Sequence, residues 1–455
     1  MNLVYGIKDK PKFVQLLIFA FQQVLAILAA TIAVPAIINS NEAVVAKFPE
    51  FIDGQGMSAA AALFGAGVGT LVYQLFTKFR SPVFLGSSFA FIGSLVAAFA
   101  GAVSASAGFA GIILGAVFAG LVYVVIALVI KLAGVNWINK LMPPVVIGPT
   151  VALIGLSLAG AAIKDVFSYG PQDANGSFVM SAPIWASLVC ALVTLFVVVL
   201  VSVYGKKMTK LIPFIIGILA GYAVAAIFTV CDIPVIDFSL FKNLEIFAVP
   251  DFTFMEALQG VKEIDGAYIA TVAVAYVPVA FVVFAEHIAD HKNLSSIIGS
   301  DLLEEPGLHR TLLGDGIGSM VGAFFGGCPN TTYGESVGCV AITRNASIIT
   351  ITTAALMCIV ISFFGPFVAF LDSIPGCVMG GVCITLYGFI AVSGLKMIQK
   401  VDLNQHKNLF VVASILIPGI GGMAMAIGKV TLTAIACALI LGIIVNLLLS
   451  RAKEE

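Results

Sequence analysis

Charged residues are scarce in this sequence. Asp, Glu, Lys and Arg make up 10% of its 455 residues, whereas hydrophobic residues make up 60%. An ordinary soluble domain has roughly 25% charged residues, so this composition excludes a water-soluble globular fold. Apolar runs of about 20 residues, the length that crosses a hydrocarbon core of about 30 Å, recur along the whole chain. We therefore predict an all-α polytopic membrane protein embedded in the lipid bilayer.

The sequence also lacks the features of several functional classes. Its net charge of −1 leaves no basic surface for a nucleic acid. The four histidines and eight cysteines show no zinc-type spacing, and most cysteines lie in apolar segments, where a thiol usually packs as a small hydrophobic residue. The motif HExxH does not occur in the spans. We predict no metal, no cofactor and no enzyme activity.

Fourteen apolar segments are candidate membrane spans. They cover residues 14–38, 57–77, 82–103, 106–131, 142–163, 183–204, 210–230, 266–290, 308–327, 329–343, 347–371, 374–395, 406–427 and 430–450. Cytoplasmic loops are enriched in Lys and Arg, and this assignment places eighteen of the 23 basic residues on one side of the membrane. We therefore expect both termini in the cytoplasm and a long external loop at 231–263.

Two of these segments contain polar residues in the middle of apolar sequence. Residues 81–91 (SPVFLGSSFAF) interrupt the third segment, and residues 328–335 (CPNTTYGE) interrupt the tenth. Because the two lie seven spans apart, the second half of the chain enters the membrane with the opposite orientation. We expect two inverted seven-span repeats whose extended segments meet near the membrane centre and form a binding site. The alternative is a pair of glycine-rich loops between short helices.

Four acidic residues lie in apolar sequence of the second half: Glu286, Asp290, Asp315 and Glu335. A charge at the bilayer centre costs at least about 2.5–3.5 kcal/mol, so such residues usually face a cavity, a partner or a proton path. Glu286 and Asp290 are four residues apart and share one helix face. Asp290 could also lie at the membrane boundary, and Asp315 could simply hydrogen-bond a neighbouring helix.

The spacing of Glu286 and Asp290 also bears on protonation. Burial and a second carboxylate one turn away both disfavour the charged form, so we expect the pair to share a proton at neutral pH and to titrate as a coupled unit. Glu286, Asp290 and Asp315 are therefore candidates for proton coupling. His287 lies on a different face of the same helix, and we expect it to pack or to form a hydrogen bond.

Five motifs occur together between about residue 12 and residue 450: LGSSFAF, FAEHIADH, EEPGLHR, CPNTTYGESVG followed by AITR, and GGVCITLYGFIAVSG. In combination they resemble the nucleobase-ascorbate transporter (nucleobase:cation symporter-2) family, and PNTTYGE is the most specific of them. The resemblance implies fourteen spans in two inverted repeats, with a core domain (1–131 and 264–372) and a gate domain (132–263 and 373–455). It implies a substrate site formed by Phe89, Glu286, Gly334, Glu335 and Tyr387.

Within that family the chain looks most like the uracil-transporting members, which implies uracil import by proton symport across the cell membrane, with alternating access. Two carboxylates could accept hydrogen bonds from the uracil N–H groups, and backbone N–H groups at Phe89 and Gly334 could donate to its carbonyls. The Phe89 ring could stack on the base. The carboxylates at 290 and 315 look more like the purine-transporting branch, so xanthine or a related purine is the alternative.

One further alternative is an anion carrier of the same architecture. That class would place a basic residue or bare helix N-termini at the site instead of two glutamates. The family resemblance also implies a homodimer formed through the gate domain.

Overall fold

The apolar sequence folds into helices along the whole chain. The computed structural model describes residues 3–51, 54–134, 143–168, 170–173, 175–206, 209–242, 244–427 and 430–449. The helices of the first half are α1 (Phe13–Ser40), α2 (Glu42–Val45), α3 (Ala59–Phe76), α4 (Ile92–Gly101), α5 (Ala105–Ala133), α6 (Pro144–Ser157), α7 (Ala159–Val166), α8 (Ala182–Tyr204) and α9 (Pro213–Val230). A strand, β1 (Leu85–Ser87), and a 3₁₀ turn (Phe89–Phe91) precede α4.

The second half follows the same order. Its helices are α10 (Thr253–Gly260), α11 (Gly266–Ile298), α12 (Leu308–Gly326), α13 (Gly334–Thr343), α14 (Ile348–Ile361), α15 (Gly365–Asp372), α16 (Gly376–Ile398), α17 (His406–Ile420) and α18 (Ala434–Leu449). Strand β2 (Asn330–Thr332) precedes α13, and strands β3 (Met425–Ile427) and β4 (Val430–Leu432) precede α18.

Among the described residues, eight helical segments are long and apolar enough to cross a membrane, and four shorter apolar helices accompany them. Helix α12 and the segment formed by β2 and α13 bring the number of spans to fourteen. Each half contributes seven, and the third and tenth segments are the two that contain a strand. The order of spans is therefore the predicted one.

The two broken segments pair with each other. Strands β1 and β2 are antiparallel, with Gly86 opposite Thr331, and the backbone N–H of Tyr333 donates to the carbonyl of Phe84 at 3.1 Å. All six strand residues are buried. Because extended backbone inside a bilayer has no water to bond, each segment satisfies N–H and C=O groups of the other.

Side chains of neighbouring helices satisfy further backbone groups of these strands. The hydroxyl of Thr70 on α3 accepts a hydrogen bond from the Leu85 N–H at 2.9 Å, and the hydroxyl of Ser336 on α13 accepts one from the Phe84 N–H at 3.1 Å. The Tyr333 hydroxyl donates to the Ser87 carbonyl at 2.7 Å, and the Tyr333 ring lies against Gly86. A Cβ at Gly86 would lie 2.4 Å from that ring, so the position requires glycine.

Glycines bring α3 and α12, which form the second span of each half, into backbone contact. A Cβ at Gly65 would lie 2.4 Å from the carbonyl oxygen of Gly322, and a Cβ at Gly69 would lie 2.7 Å from that of Gly318. Lipid tails are as apolar as the helix surfaces, so helices in a membrane associate through close van der Waals packing. Small residues allow that packing. This pair supports the two strands, since Asn330 of β2 donates to the Gly65 carbonyl at 3.1 Å.

Three details differ from the predicted spans. Helix α11 continues to Ile298 instead of ending at residue 290, and the eleventh segment is divided into α14 and α15. The thirteenth segment, predicted as 406–427, is helical only to Ile420, because Gly422 takes a positive φ of 72° and the following residues form the antiparallel β3–β4 hairpin. Two predicted span ends, residues 142 and 450, lie outside the described residues. The same holds for five basic residues: Lys140, Lys207, Lys429, Arg451 and Lys453.

Candidate substrate and proton site

Helix α11 carries two of the predicted acids on one face. Glu286 and Asp290 lie one turn apart and are both partly buried. The helix begins after Asp265, whose side chain accepts from the Tyr268 N–H, and ends at Gly299 in the left-handed conformation. It packs against the Phe89–Phe91 turn, β2 and α13, so both broken segments reach the same helix. The prediction that these acids face the extended segments agrees with this arrangement.

Asp290 is tied to the second broken segment. The Thr332 hydroxyl donates a hydrogen bond of 2.8 Å to Oδ2 of Asp290. A Cβ at Gly334 would lie 3.8 Å from the other carboxyl oxygen of Asp290, so Gly334, which is itself exposed, borders this carboxyl group. Asp290 is therefore in contact with both the strand and the first helical residue of the second broken segment.

Glu335 occupies the first turn of α13. This position favours a carboxylate, because the first N–H groups of a helix have no partner within the helix and its N-terminus carries a partial positive charge. The negative charges of Glu335 and Asp315 act on Glu286, and those of Glu286, Glu335 and Asp315 act on Asp290. The four predicted acids are thus one electrostatic cluster drawn from α11, α12 and α13.

Phe89 and Tyr387 meet from different parts of the chain. Phe89 begins the turn after β1, whereas Tyr387 lies in the middle of α16. Their ring centroids are 6.3 Å apart with an interplanar angle of 78°, an edge-to-face contact. Phe89 is partly buried and Tyr387 is 2% exposed. The family resemblance assigned both residues to the substrate site, and the structure brings them together.

Asp315 forms a fully buried pair with His287. Oδ2 of Asp315 on α12 lies 2.7 Å from Nδ1 of His287 on α11, and both side chains are 0% exposed. Nε2 of His287 lies 3.0 Å from the hydroxyl of Thr311, one turn before Asp315. His287 therefore forms the hydrogen bonds expected for it. Asp315 bonds a neighbouring helix, α11, through His287, the residue that follows Glu286.

A second histidine extends this polar region along α11. Nδ1 of His291 lies 2.8 Å from the His287 carbonyl oxygen, and Nε2 lies 2.7 Å from the Tyr73 hydroxyl of α3. The Tyr73 hydroxyl also bonds the hydroxyl of Ser81 at 2.7 Å. Since a carbonyl oxygen can only accept, the His291 Nδ1 carries the proton of that bond, and the Tyr73 hydroxyl donates its own proton to Ser81.

Sequence reasoning did not find Thr332, Thr311 or Gln23 as site residues. Thr332 lies in the segment CPNTTYGE, and the alternation of side chains along a strand places it on the face opposite Thr331. Gln23 of α1 is 2% exposed, and its Nε2 makes a long contact of 3.4 Å with the Ser336 carbonyl, next to Glu335. A glutamine in the middle of an apolar helix was the available signal for this residue.

Comparison with known proteins bears on this site and fold. The Permease family profile (Xan_ur_permease) matches residues 14–428. The uracil permease of Bacillus subtilis is 37% identical over 454 residues, which cover 99% of this chain and 96% of that protein. The uracil permease of Bacillus caldolyticus is 38% identical over 449 residues, 98% of this chain and 94% of that protein. That of Escherichia coli K12 is 33% identical and covers 97% and 93%.

Solved structures show the same fold at low identity. The transmembrane domain of the cyanobacterial bicarbonate transporter BicA aligns with a TM-score of 0.59 and 16% identity, over 96% of this chain and 98% of that chain. The murine solute carrier 26 member A9 anion transporter aligns with a TM-score of 0.63 and 13% identity, over 97% and 69%. The predicted family and the predicted fold, two inverted repeats with core and gate domains, are confirmed. The chain belongs to the xanthine/uracil permease (nucleobase:cation symporter-2) family, and it is a multi-pass membrane permease rather than an enzyme.

Proposed function

We propose that this permease imports uracil across the cell membrane by proton symport with alternating access. The observation that carries the proposal is that helix α11, with Glu286 and Asp290, packs against the Phe89 turn, β2 and α13, whose first turn carries Glu335. Three relatives that are 33–38% identical over nearly the whole chain carry the name uracil permease, which supports the same substrate.

The chemistry of uracil matches the groups at this place. Its ring presents N–H donors and C=O acceptors at its edge, so Glu286 and Glu335 accept from the N–H groups. Backbone N–H groups at Phe89 and Gly334, each at the start of a helical turn, donate to the carbonyl oxygens. Charge-assisted bonds of this kind are about twice as strong as neutral ones. Phe89 stacks on the ring, and Tyr387 contacts the base from the opposite domain.

Alternating access follows from the division into two domains. In this proposal residues 1–131 and 264–372 form the core that holds uracil, and residues 132–263 and 373–455 form the gate. The Phe89–Tyr387 contact joins them at the substrate level, so relative movement of the domains opens the site to one side or the other. The distribution of Lys and Arg supports cytoplasmic termini, and the family resemblance implies a homodimer through the gate domain.

The proton is carried by the acid cluster. Glu286, Asp290 and Asp315 lie close enough for their charges to act on one another. Protonation from outside removes one of these charges and stabilises the geometry that binds uracil, and loss of the proton to the cytoplasm weakens binding. Because a ligand shifts an equilibrium only through differential affinity, proton and uracil must each raise the affinity for the other.

Xanthine or a related purine is the second candidate substrate, favoured by the carboxyl group at position 290. Anion transport, the function named for the two solved structures, is disfavoured because Glu335 lies in the first turn of α13 and Asp290 borders its first residue, Gly334.

Counterflow in proteoliposomes tests this function. Vesicles loaded with unlabelled uracil should take up labelled uracil, and excess external xanthine should leave that uptake unchanged. An inward proton gradient should drive accumulation that a protonophore abolishes. Displacement of uracil by xanthine would make the purine the substrate, and accumulation insensitive to the protonophore would remove the proton from the mechanism.

A further inference from the structure

The hydroxyl of Thr311 lies between a histidine ring nitrogen and a backbone carbonyl oxygen. Its oxygen is 3.0 Å from Nε2 of His287 and 3.1 Å from the carbonyl oxygen of Leu308. Thr311 and His287 are both 0% exposed, so water does not supply alternative partners. A hydroxyl donates one hydrogen bond and accepts others, and it rotates to suit its partners. Thr311 can therefore donate to Leu308 while accepting from His287, or donate to His287.

The first of these arrangements fits a His287–Asp315 pair that holds two protons. Nε2 of His287 carries one proton and donates to Thr311, whose own hydroxyl donates to Leu308. The second proton lies between Nδ1 and Oδ2 of Asp315, which are 2.7 Å apart. The pair then has no net charge, whether the second proton lies on Nδ1 or on Oδ2. A neutral pair suits a site without solvent.

The second arrangement fits the same pair after loss of one proton. The proton on Nε2 passes to the cytoplasm in the proposed release step, and the proton between the two residues stays on Nδ1 and donates to the ionised Asp315. The Thr311 hydroxyl turns to donate to the unprotonated Nε2. The Leu308 carbonyl keeps its helical acceptor position, so both ring nitrogens of His287 keep a hydrogen-bond partner, whereas Oδ1 of Asp315 has none among the described residues. The pair changes from zero to one negative charge by losing one proton.

We propose that Thr311 is the positioning residue that allows the His287–Asp315 pair to hold and release the coupled proton. This inference rests on the proposed proton symport and names the place where the proton is stored. The pair is suited to this role because His287 follows Glu286 on α11. A charge on Asp315 therefore acts electrostatically on Glu286, the proposed substrate ligand.

Other titratable groups surround the pair. On α11 these are Glu286, Asp290 and His291, and Tyr73 of α3 and Tyr123 of α5 both feel the charge of Asp315. An Asp315 charge is therefore opposed by the neighbouring acids when they are ionised. Loss of a proton from the His287–Asp315 pair and ionisation of Glu286 each make the other less favourable. This links proton release to the affinity of the substrate site.

His291 supplies an internal control. Its Nδ1 donates to the backbone carbonyl of His287, and a carbonyl cannot donate in return. His291 is therefore fixed as the tautomer with the proton on Nδ1, although it lies beside His287 with a ring separation of 4.1 Å. Nε2 of His291 faces the Tyr73 hydroxyl, so the difference from His287 lies at Nδ1: His287 bonds a carboxyl group that can itself hold the proton, whereas His291 bonds a carbonyl oxygen that cannot.

Nitrogen-15 NMR of histidine-labelled protein in bilayers tests the switch without transport. The chain has four histidines, and a His287→Gln sample assigns the His287 signals. As the pH rises, the proton on Nε2 of His287 should disappear while Nδ1 stays protonated, and Nδ1 of His291 should stay protonated throughout. Thr311→Ser keeps the hydroxyl and should behave like wild type. Thr311→Val removes it and should shift the transition by about one pH unit or more.

Transport by the same variants tests the coupling. Thr311→Val should retain uracil counterflow at low pH while the pH profile of uphill accumulation shifts with the NMR transition, and Thr311→Ser should restore the wild-type profile. An Nε2 of His287 that keeps its proton throughout the pH range of transport would overturn the proposal, as would an unshifted profile in Thr311→Val. If wild-type protein shows no uracil counterflow, the proposed substrate fails, whereas the NMR result still decides whether Thr311 switches the pair.

Discussion

The Thr332 hydroxyl donates a 2.8 Å hydrogen bond to Oδ2 of Asp290, and this bond joins strand β2 of the tenth span to helix α11 of the eighth. The strand pairs in turn with β1 of the first repeat, where Leu85 lies opposite Thr332. Asp290 is therefore connected to both broken spans, directly through Thr332 and indirectly through the pairing of β2 with β1. A change in its protonation state alters a hydrogen bond to the segment that borders the proposed substrate site.

Thr332→Val keeps the β-branched shape but removes this donor. We expect uracil affinity to fall about threefold to tenfold, the effect of losing a hydrogen bond worth about 1 kcal/mol or somewhat more. Isothermal titration of purified protein measures it. Thr331→Val is the matched control, because the Thr331 hydroxyl has no hydrogen-bond partner among the described residues. Equal affinities for the two variants would show that the Thr332 bond does not support the site.

Glu335→Gln replaces a carboxylate that only accepts with an amide that also donates. We expect uracil binding to weaken by about tenfold or more while the protein stays folded, because one ring N–H loses a charge-assisted partner. The control is Glu304→Gln, an exposed glutamate before α12. Unchanged affinity in purified Glu335→Gln would remove Glu335 from the substrate site.

Phe89→Ala should weaken uracil binding through the loss of stacking. Because the Phe89 ring also meets Tyr387 edge to face, a double-mutant cycle with Tyr387→Leu should show a coupling of about 0.5–1.5 kcal/mol in protein stability. Thermal unfolding and uracil titration of the four proteins give both quantities. A Phe89→Ala protein with the wild-type dissociation constant would show that the third span does not reach the ligand.

Asp290→Asn fixes this side chain in a neutral form that resembles the protonated acid. Exchange of internal for external uracil needs no net proton release, so it should be spared more than uphill accumulation. The two assays are run on the same vesicles, with and without a protonophore. Normal accumulation that remains protonophore-sensitive would move the coupling role to Glu286 or Asp315.

Gly69→Leu should destabilise the α3–α12 pair. A Cβ at Gly69 already lies 2.7 Å from the Gly318 carbonyl oxygen and 2.6 Å from Nδ2 of Asn330, so a larger side chain forces the helices apart and displaces β2. We expect a lower thermal unfolding temperature and weaker uracil binding together. Gly160→Ala on α7, where a Cβ meets no atom within 4 Å, is the control that should change neither.

The sequence predicted the two broken spans and the four acids because polar residues in apolar runs are visible in the chain itself. Phe89 and Tyr387 were assigned by family resemblance, since an aromatic residue in an apolar helix has no local signal of its own. The Thr332–Asp290 bond depends on the register of two three-residue strands, which a short segment does not specify. The His287–Asp315 pair joins two helices, and periodicity shows which residues share a face but not which helix lies opposite.

The β3–β4 hairpin was missed for a different reason. Residues 421–433 are apolar and continue the run of α17, and short apolar runs do not distinguish helix from strand. The glycine pair at 421–422 was the available signal for a helix end.

The pairing of β1 with β2 also has a consequence for biogenesis. Gly86 pairs with Thr331, which is synthesised about 245 residues later, and at about 5–20 residues per second this takes roughly 12–50 s. During that interval the third span is already in the translocation machinery with its extended backbone unpaired. A nascent chain of the first seven spans should therefore remain associated with an insertase or chaperone, and the two halves should reach a protease-resistant state only when both are present in one membrane.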